Sequence, residues 1–328
     1  RYPEIPTDES FMISEFLSTL EFSFSVTGPI FVILGLGAWL KRIGMINDAF
    51  IEVGSRLVFM VTLPALLFIC VSKTWLVASV NFSLVGFGLL STVAVWVASE
   101  LIARLVVREP RDRGVVVQGV FRSNLGIIGL AYCVNAYGNT GLVAASLYVG
   151  LVTIVYNVLS VVSLNRSLHG RQSVGRLLRA IALNPLIIGI VLALPISISG
   201  IQLPRILLQS GEYFANMTLP LALLCTGGAL DFRSLRHDPR DTLIATTGKL
   251  LFMPLVSTLA AIAVGFRGMD LGIVLLMSSA PSAASGYAMV RAMGGNSELA
   301  ANIVALTTVG SLISTSAGIV ILKGLDLM

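Results

Sequence analysis

The sequence repeats one pattern over a distance of about half the chain. The letters TLPALL at residues 62–67 return as TLPLAL at residues 218–223. An earlier pair of prolines, Pro29 and Pro185, has the same separation of 156 residues as Pro64 and Pro220. This period is far longer than that of a solenoid repeat, so it predicts two copies of one large unit.

The apolar character of the chain predicts that both copies span a membrane. Hydrophobic residues make up 55% of the 328 residues and charged residues 12%, which is about half the charged share of a soluble domain. Ten runs are long enough to cross a bilayer core, for which a helix needs about 20 residues. They lie near residues 23–40, 52–71, 83–106, 114–137, 141–163, 180–199, 207–229, 242–266, 270–293 and 298–322.

Each copy of the repeat therefore contains five spans. Because five is odd, the second copy must enter the membrane from the opposite side, which inverts it. We predict an all-α integral membrane protein with ten transmembrane helices in two inverted five-helix repeats. Its predicted parts are an N-terminal extension at 1–21, a first repeat at 22–164, a cytoplasmic connection at 165–176 and a second repeat at 177–328.

The basic residues predict the orientation. With both termini outside, fifteen of the 22 lysines and arginines lie on the cytoplasmic side, Arg56 among them, and five lie outside. The positive-inside rule selects this arrangement. We therefore predict a multi-pass protein of the plasma membrane, which in a bacterium is the inner membrane. The net charge of +5 then reflects topology and contacts with anionic lipid headgroups, and no nucleic-acid partner is predicted.

The fourth and ninth predicted spans contain residues that interrupt a helix. Asn124 precedes Gly126 in one span, and Pro281 lies among serines in the other. The two positions are 157 residues apart, the same separation as between the repeated pairs at 138–139 and 295–296. A broken helix is tolerated only inside protein or beside a water-filled cavity, and breaks at matching places point to a substrate site. We predict that the two broken helices cross at the membrane midplane.

This crossing is predicted to hold a small organic anion. The free N–H groups at the start of each second half-helix carry a partial positive charge, and neighbouring hydroxyl and amide groups are adaptable partners. The predicted substrate-binding residues are Ser123, Asn124, Leu125, Gly126, Pro281, Ser282 and Ser285. The alternative is that the glycines only allow close helix packing and that the proline only kinks its helix.

Two basic residues lie within predicted spans, where an unpaired charge is costly. Arg122 is predicted to place a positive charge near the substrate, and Lys249 to act as a tethered cation that supports the crossing. The alternatives are that Arg122 reaches out to the cytoplasmic interface, and that Lys249 pairs with a buried carbonyl or acid. Acidic residues are scarce within the spans, so no cofactor or metal site is predicted. Because His169 and His237 fall in cytoplasmic connections, no enzymatic activity is predicted.

Several of these stretches together carry a resemblance. They are Gly44–Phe68, Ser123–Leu130, Asn184–Ile187, Leu219–Leu223 and Pro281–Thr308. In order and spacing they resemble the auxin efflux carrier family, in its compact prokaryotic form, of the bile/arsenite/riboflavin transporter type superfamily. The resemblance implies a scaffold formed by spans one, two, six and seven. It also implies that the other spans form a transport domain, which slides as an elevator. The resemblance further implies organic anions as substrates and a possible homodimer through the scaffold helices.

We expect a secondary transporter that moves a small organic anion, auxin-like or dicarboxylate-like, by elevator-type alternating access. One alternative is a sodium-coupled symporter of the bile-acid type, which needs oxygen-rich ion sites beside the crossing, where Lys249 lies instead. An alternative of another class is a non-transporting membrane sensor of a lipid or metabolite.

Overall fold

A computed structural model of the protein describes residues 8–72, 82–168, 183, 185–199, 201–230 and 239–328. Within these ranges helices are joined by turns and there is no β-strand, which confirms the predicted all-α class. His169, His237 and Asn184 lie outside the described residues, as do most of the predicted connection and the start of the sixth predicted span.

The helices are numbered in chain order. They are α1 (Asp8–Arg42), α2 (Asp48–Leu57), α3 (Leu63–Ser72), α4 (Phe82–Val106), α5 (Arg113–Phe121), α6 (Leu130–Leu168), α7 (Pro185–Ser199), α8 (Arg205–Ala229), α9 (Pro239–Thr247), α10 (Met253–Val264), α11 (Gly268–Ser279), α12 (Ala284–Ala292) and α13 (Ser297–Gly324). Three π-helical turns lie between these helices. Val58–Thr62 joins α2 to α3, Leu125–Gly129 leads into α6, and Gly248–Phe252 joins α9 to α10.

Six helical stretches of the described residues are long and apolar enough to cross a membrane. They are Leu17–Arg42, Asp48–Ile69, Phe82–Val106, Leu125–Leu168, Pro239–Val264 and Ser297–Gly324. Shorter apolar helices occupy Ile188–Ser199 and Gly268–Ser279. The chain is thus a multi-pass membrane protein. Of the ten predicted spans, part of the fourth is joined to the fifth in the stretch Leu125–Leu168. The sixth, seventh and ninth are not among these six stretches.

The longest of these stretches contains a sharp change of direction at Gly138. Its φ of 59° and ψ of −142° depart from the helical conformation of the rest of α6. A residue with a Cβ rarely adopts this positive φ, so glycine is required here. The sequence predicts the boundary between the fourth and fifth spans at the same place.

Two of the π-helical turns have a common cause in the sequence. The turn at Val58–Thr62 ends two residues before Pro64, and the turn at Gly248–Phe252 ends two residues before Pro254. Proline has no N–H group and its ring crowds the preceding turn, so the backbone ahead of it widens to relieve the conflict. The second of these turns carries Lys249.

The packing of α1 against α8 depends on two glycines. A Cβ on Gly37 would meet the backbone oxygen of Leu224, and a Cβ on Gly227 would meet that of Leu34. Small residues allow transmembrane helices to approach this closely, because no side chain keeps the two backbones apart. Elsewhere α3 packs on α7 and α8, α4 to α6 pack on one another, and α12 packs on α13.

Gly37→Val is therefore expected to separate α1 from α8 and to destabilise the protein by about 1–3 kcal/mol, the usual cost of overpacking. The measurement is the apparent melting temperature in detergent. Gly35→Val is a matched control, since Gly35 lies on the same helix with nothing within 4 Å of its Cβ position. Equal melting temperatures for the two variants would contradict the close approach.

Candidate binding site

Both predicted helix breaks are present. Helix α5 ends before Arg122, and Arg122 and Asn124 have non-helical ψ angles of 97° and 68°. Helix α11 ends before Ala280, and Ala280 and Ala283, with ψ angles of 139° and 129°, flank Pro281. Each break removes helical hydrogen bonds, so the freed backbone groups need other partners in an apolar interior.

The two breaks supply these partners to each other. The backbone N–H of Asn124 donates to the carbonyl oxygen of Pro281 at 2.7 Å, and that of Ala283 donates to the carbonyl oxygen of Arg122 at 3.0 Å. An antiparallel bridge lies between these two bonds. The two broken segments therefore lie side by side, as the shared offset in the repeat predicts.

The two serines of this bridge have different roles. The hydroxyl of Ser282 donates to the carbonyl oxygen of Gly119 at 2.5 Å, and its backbone N–H donates to Oγ1 of Thr307 at 3.1 Å. The hydroxyl of Ser123 accepts a hydrogen bond from Lys249. Both serines are buried, and each connects the crossing to a neighbouring helical segment.

The ammonium group of Lys249 is fully buried behind the crossing. Besides Ser123 it contacts the carbonyl oxygen of Ser278 at 3.0 Å and Sδ of Met253 at 2.9 Å. Ser278 lies in the last turn of α11, where free carbonyls give a helix its partial negative charge. The sequence offered two structural partners for Lys249, a buried carbonyl or a buried acid, and the carbonyl is the one present. Lys249 forms no ion pair with the carboxylates of the described residues.

The guanidinium of Arg122 is also held inside the protein. Its Nη2 donates to Oδ1 of Asn157 at 2.8 Å and to Oγ of Ser285 at 3.1 Å, and its Nη1 donates to Oγ of Ser160 at 3.0 Å. The side chain is 5% exposed, so the alternative in which it reaches out to the interface is wrong. These partners are neutral and leave its charge uncompensated by any carboxylate that the structure describes.

A cavity of about 350 Å³ lies beside the crossing. Its lining comprises Ser55, Arg56, Val58, Phe59, Leu63, Arg122, Ser123, Asn124, Leu125, Gly126, Ile127, Thr153, Tyr156, Ala222, Thr226, Ala229, Ala283, Ala284 and Ser285. Five of the seven predicted substrate-binding residues are in this set, together with Arg122. Pro281 and Ser282, which belong to the crossing itself, are not in this set, and neither is Lys249, which contacts the crossing through Ser123.

The sequence reasoning missed several residues of the cavity. Arg56 lies on α2, where it was counted only among the basic residues that set the orientation. Thr226 comes from α8, and Thr153 and Tyr156 come from α6. One signal was available for the residues that hold Arg122. Asn157 and Ser160 are polar residues three apart in an apolar run, so they share a helix face.

The cavity has the chemistry of an anion site. Two arginines line it, and none of the described lining residues is acidic. Hydroxyl and amide groups of Ser123, Asn124 and Ser285 provide neutral hydrogen-bonding groups beside the charges. Among the residues that the structure describes, no three His, Cys, Asp or Glu side chains come together as metal ligands.

Comparison with known proteins identifies the family of the chain. The family model described as membrane transport protein matches residues 24–319, so the chain belongs to that family, the auxin efflux carrier family of membrane transporters. An uncharacterized transporter of Methanothermobacter thermautotrophicus is 24% identical over 298 residues, which are 87% of this chain and 93% of that protein. An uncharacterized transporter of Methanocaldococcus jannaschii is 20% identical over 296 residues, 87% of this chain and 94% of that protein. The predicted family is thus confirmed, and the chain is a membrane transporter.

Proposed function

We propose that this transporter is a secondary carrier of a small organic anion, bound in the cavity beside the two helix breaks. The observation that carries the proposal is the buried guanidinium of Arg122, which lines the cavity and has only neutral partners among the described residues. In a site of low dielectric constant, such a charge attracts an anion much more strongly than it would in water. The bound anion then compensates the positive charge of Arg122, which no described carboxylate neutralises.

The walls of the cavity support an elevator mechanism. Arg56, Ala222 and Thr226 line it from α2 and α8, whereas Arg122 and Ser285 line it from the two broken segments. Substrate sites in transporters of this plan lie between a fixed group of helices and a moving group. We assign α1 to α3, α7 and α8 to the scaffold and the remaining helices to the transport domain. An anion would then travel with Arg122, while Arg56 stays in place.

The proposed architecture has ten transmembrane helices in two inverted repeats. Three observations support it: the turn at Gly138 between the fourth and fifth spans, the paired breaks, and the matching offset in sequence. The excess of arginine in one set of connections supports an orientation with both termini outside, and the plasma membrane is the location that we propose. In that orientation Arg56 lies towards the cytoplasmic side.

Transport without sodium is part of the proposal. Lys249 places a buried ammonium against the carbonyl end of α11, where a sodium-coupled carrier would need oxygen ligands for a free cation. We therefore expect uptake of organic anions into proteoliposomes to be unchanged when sodium is replaced by choline. Loss of uptake in choline would favour the sodium-coupled alternative.

Asn124→Ala is expected to reduce anion uptake by about two- to tenfold with little change in melting temperature. The side chain lines the cavity, and loss of one neutral hydrogen bond to a substrate costs roughly 0.5–1.5 kcal/mol. The backbone bond from Asn124 to Pro281 does not depend on the side chain. Asn139→Ala, at an exposed position next to Gly138, is the control. Uptake by Asn124→Ala equal to that of the control would remove this residue from the site.

A further inference from the structure

A second and larger cavity, of about 580 Å³, lies in a groove that shares no lining residue with the proposed substrate site. Its walls come from α4, α5, α9, the π-helical turn with Gly248, and α10. The lining residues are Ser99, Ile102, Ala103, Val106, Val116, Val117, Val120, Leu243, Ile244, Thr247, Gly248, Leu251, Phe252 and Leu255. No charged residue is among them, and Ser99 and Thr247 provide the only hydroxyl groups of this lining.

The groove opens towards the lipid. Leu243, Leu251 and Leu255 line its rim and are 63%, 59% and 59% exposed. Its deep side is made of small or branched residues such as Ala103 and Val117, which are almost fully buried. In a membrane, an open groove with this lining is filled by hydrocarbon, because two hydroxyl groups among apolar side chains offer water few hydrogen-bonding partners.

One end of the groove is basic. Arg113 precedes Val116 and Val117 by three and four residues on α5, and this spacing places it on the face that lines the groove. Its Nε donates to the carbonyl oxygen of Val107 at 3.3 Å, just beyond the end of α4. This bond ties the side chain of Arg113 to the end of α4, next to the lining residue Val106.

A second arginine reaches the same end from α9. Arg240 precedes Leu243 and Ile244 by three and four residues, so it too lies on the groove face. Both arginines lie in the first turn of their helices, where the backbone carries a partial positive charge. Neither forms an ion pair with another described residue.

The acidic residues at this end do not cancel the two arginines. Oδ2 of Asp112 accepts a hydrogen bond from Nδ2 of Asn296 at 3.4 Å, which draws it towards the start of α13. Asp241 precedes Ile244 by three residues and so lies on the flank of the groove face of α9, but it forms no ion pair with Arg113 or Arg240. The groove therefore combines an apolar channel with a positive end.

We propose that this groove binds an anionic phospholipid, with one acyl chain along the apolar lining and the phosphate against Arg113 and Arg240. Basic pockets between transmembrane helices are the sites where anionic headgroups bind. The floor of the groove contains Val120 and Gly248, and Gly248 is the neighbour of Lys249 in the π-helical turn. The bound chain thus packs directly behind the segments that form the crossing.

The test is quenching of an introduced tryptophan by brominated lipids. Leu251→Trp places the fluorophore at the rim of the groove, and the parent protein gives the background from the three native tryptophans. The protein is reconstituted in phosphatidylcholine with a small fraction of brominated phosphatidylglycerol or of brominated phosphatidylcholine. Because each arginine near the headgroup favours an anionic lipid, we expect phosphatidylglycerol to be enriched at this position on the order of tenfold.

Two further variants distinguish a site from a general surface effect. Adding Arg113→Gln and Arg240→Gln is expected to remove the preference for phosphatidylglycerol. Ile313→Trp on α13, which is 75% exposed and outside the groove, is expected to show no preference. Equal quenching by the two lipids at Leu251→Trp would overturn the proposal. A preference equal to that at Ile313→Trp, or one that survives loss of both arginines, would also overturn it. The measurement does not involve transport, so its outcome is independent of the proposed function.

Discussion

Arg122→Gln is expected to reduce the uptake of organic anions by about 10- to 100-fold while leaving the protein folded. The guanidinium lines the cavity and is the buried charge nearest to the helix breaks. A hydrogen bond to a charged group contributes roughly 1.5–3 kcal/mol, so its loss lowers the affinity for an anion by about 10- to 100-fold. Glutamine retains an amide that can reach part of the network of Asn157 and Ser160. The measurement is uptake into proteoliposomes at a substrate concentration below saturation.

Two other arginines provide the controls for this substitution. Arg291→Gln removes an exposed charge outside the cavity and is expected to transport like the unsubstituted protein. Arg56→Gln removes the more exposed of the two cavity charges, and we expect a smaller loss than for Arg122→Gln, because solvent screens it. Full activity of Arg122→Gln, or an equal loss in Arg291→Gln, would contradict the assigned role.

Lys249→Met is expected to reduce transport more than tenfold, because an unsatisfied buried acceptor costs roughly 1–3 kcal/mol. Methionine has a similar length but no donor, so the carbonyl oxygen of Ser278 and the hydroxyl of Ser123 lose their partner. Removal of the buried charge also relieves a desolvation cost. We therefore expect a clear loss of transport together with only a small change in melting temperature. Uptake and melting temperature are measured on the same preparation.

Sodium distinguishes a tethered cation from an ordinary structural residue. Lys249→Ala leaves space beside the carbonyl end of α11, and a free cation can enter that space. We expect uptake by this variant to increase with sodium and not with choline. Lys323→Met, which removes an ammonium group 3.6 Å from the ring of Phe22, is the control. If Lys249→Met keeps its activity and stays insensitive to sodium, the tethered-cation role is wrong.

The sequence predicted the helix breaks because they depend on local chemistry. Proline has no N–H group, and the segment around Asn124 is interrupted by glycines, so both positions are weak points of a helix whatever packs around them. The shared offset then paired the two positions. The change of direction at Gly138 falls between two predicted spans, whose limits rest on the apolar pattern of the sequence and not on the conformation of this glycine.

The sequence did not show which side chains face the cavity. Ser282 and Ser285 are both polar residues next to Pro281, yet Ser282 donates to Gly119 and Ser285 lines the cavity with Arg122. The direction of each side chain depends on backbone angles that the crossing imposes. Arg56 was missed because its helix is distant from the breaks in sequence and contacts them only through packing. The partners of Arg122 and Lys249 likewise come from other helices.

The most direct test of the account is the melting temperature of the purified protein with and without organic acids. A ligand that binds only the folded state raises apparent stability according to its concentration and affinity. The screen compares small carboxylic acids with uncharged amides of the same shape, for the unsubstituted protein and for Arg122→Gln. We predict that at least one acid raises the melting temperature of the unsubstituted protein, that its amide does not, and that Arg122→Gln loses the shift. An equal shift in both proteins, or stabilisation by the amide alone, would contradict an anion bound at Arg122.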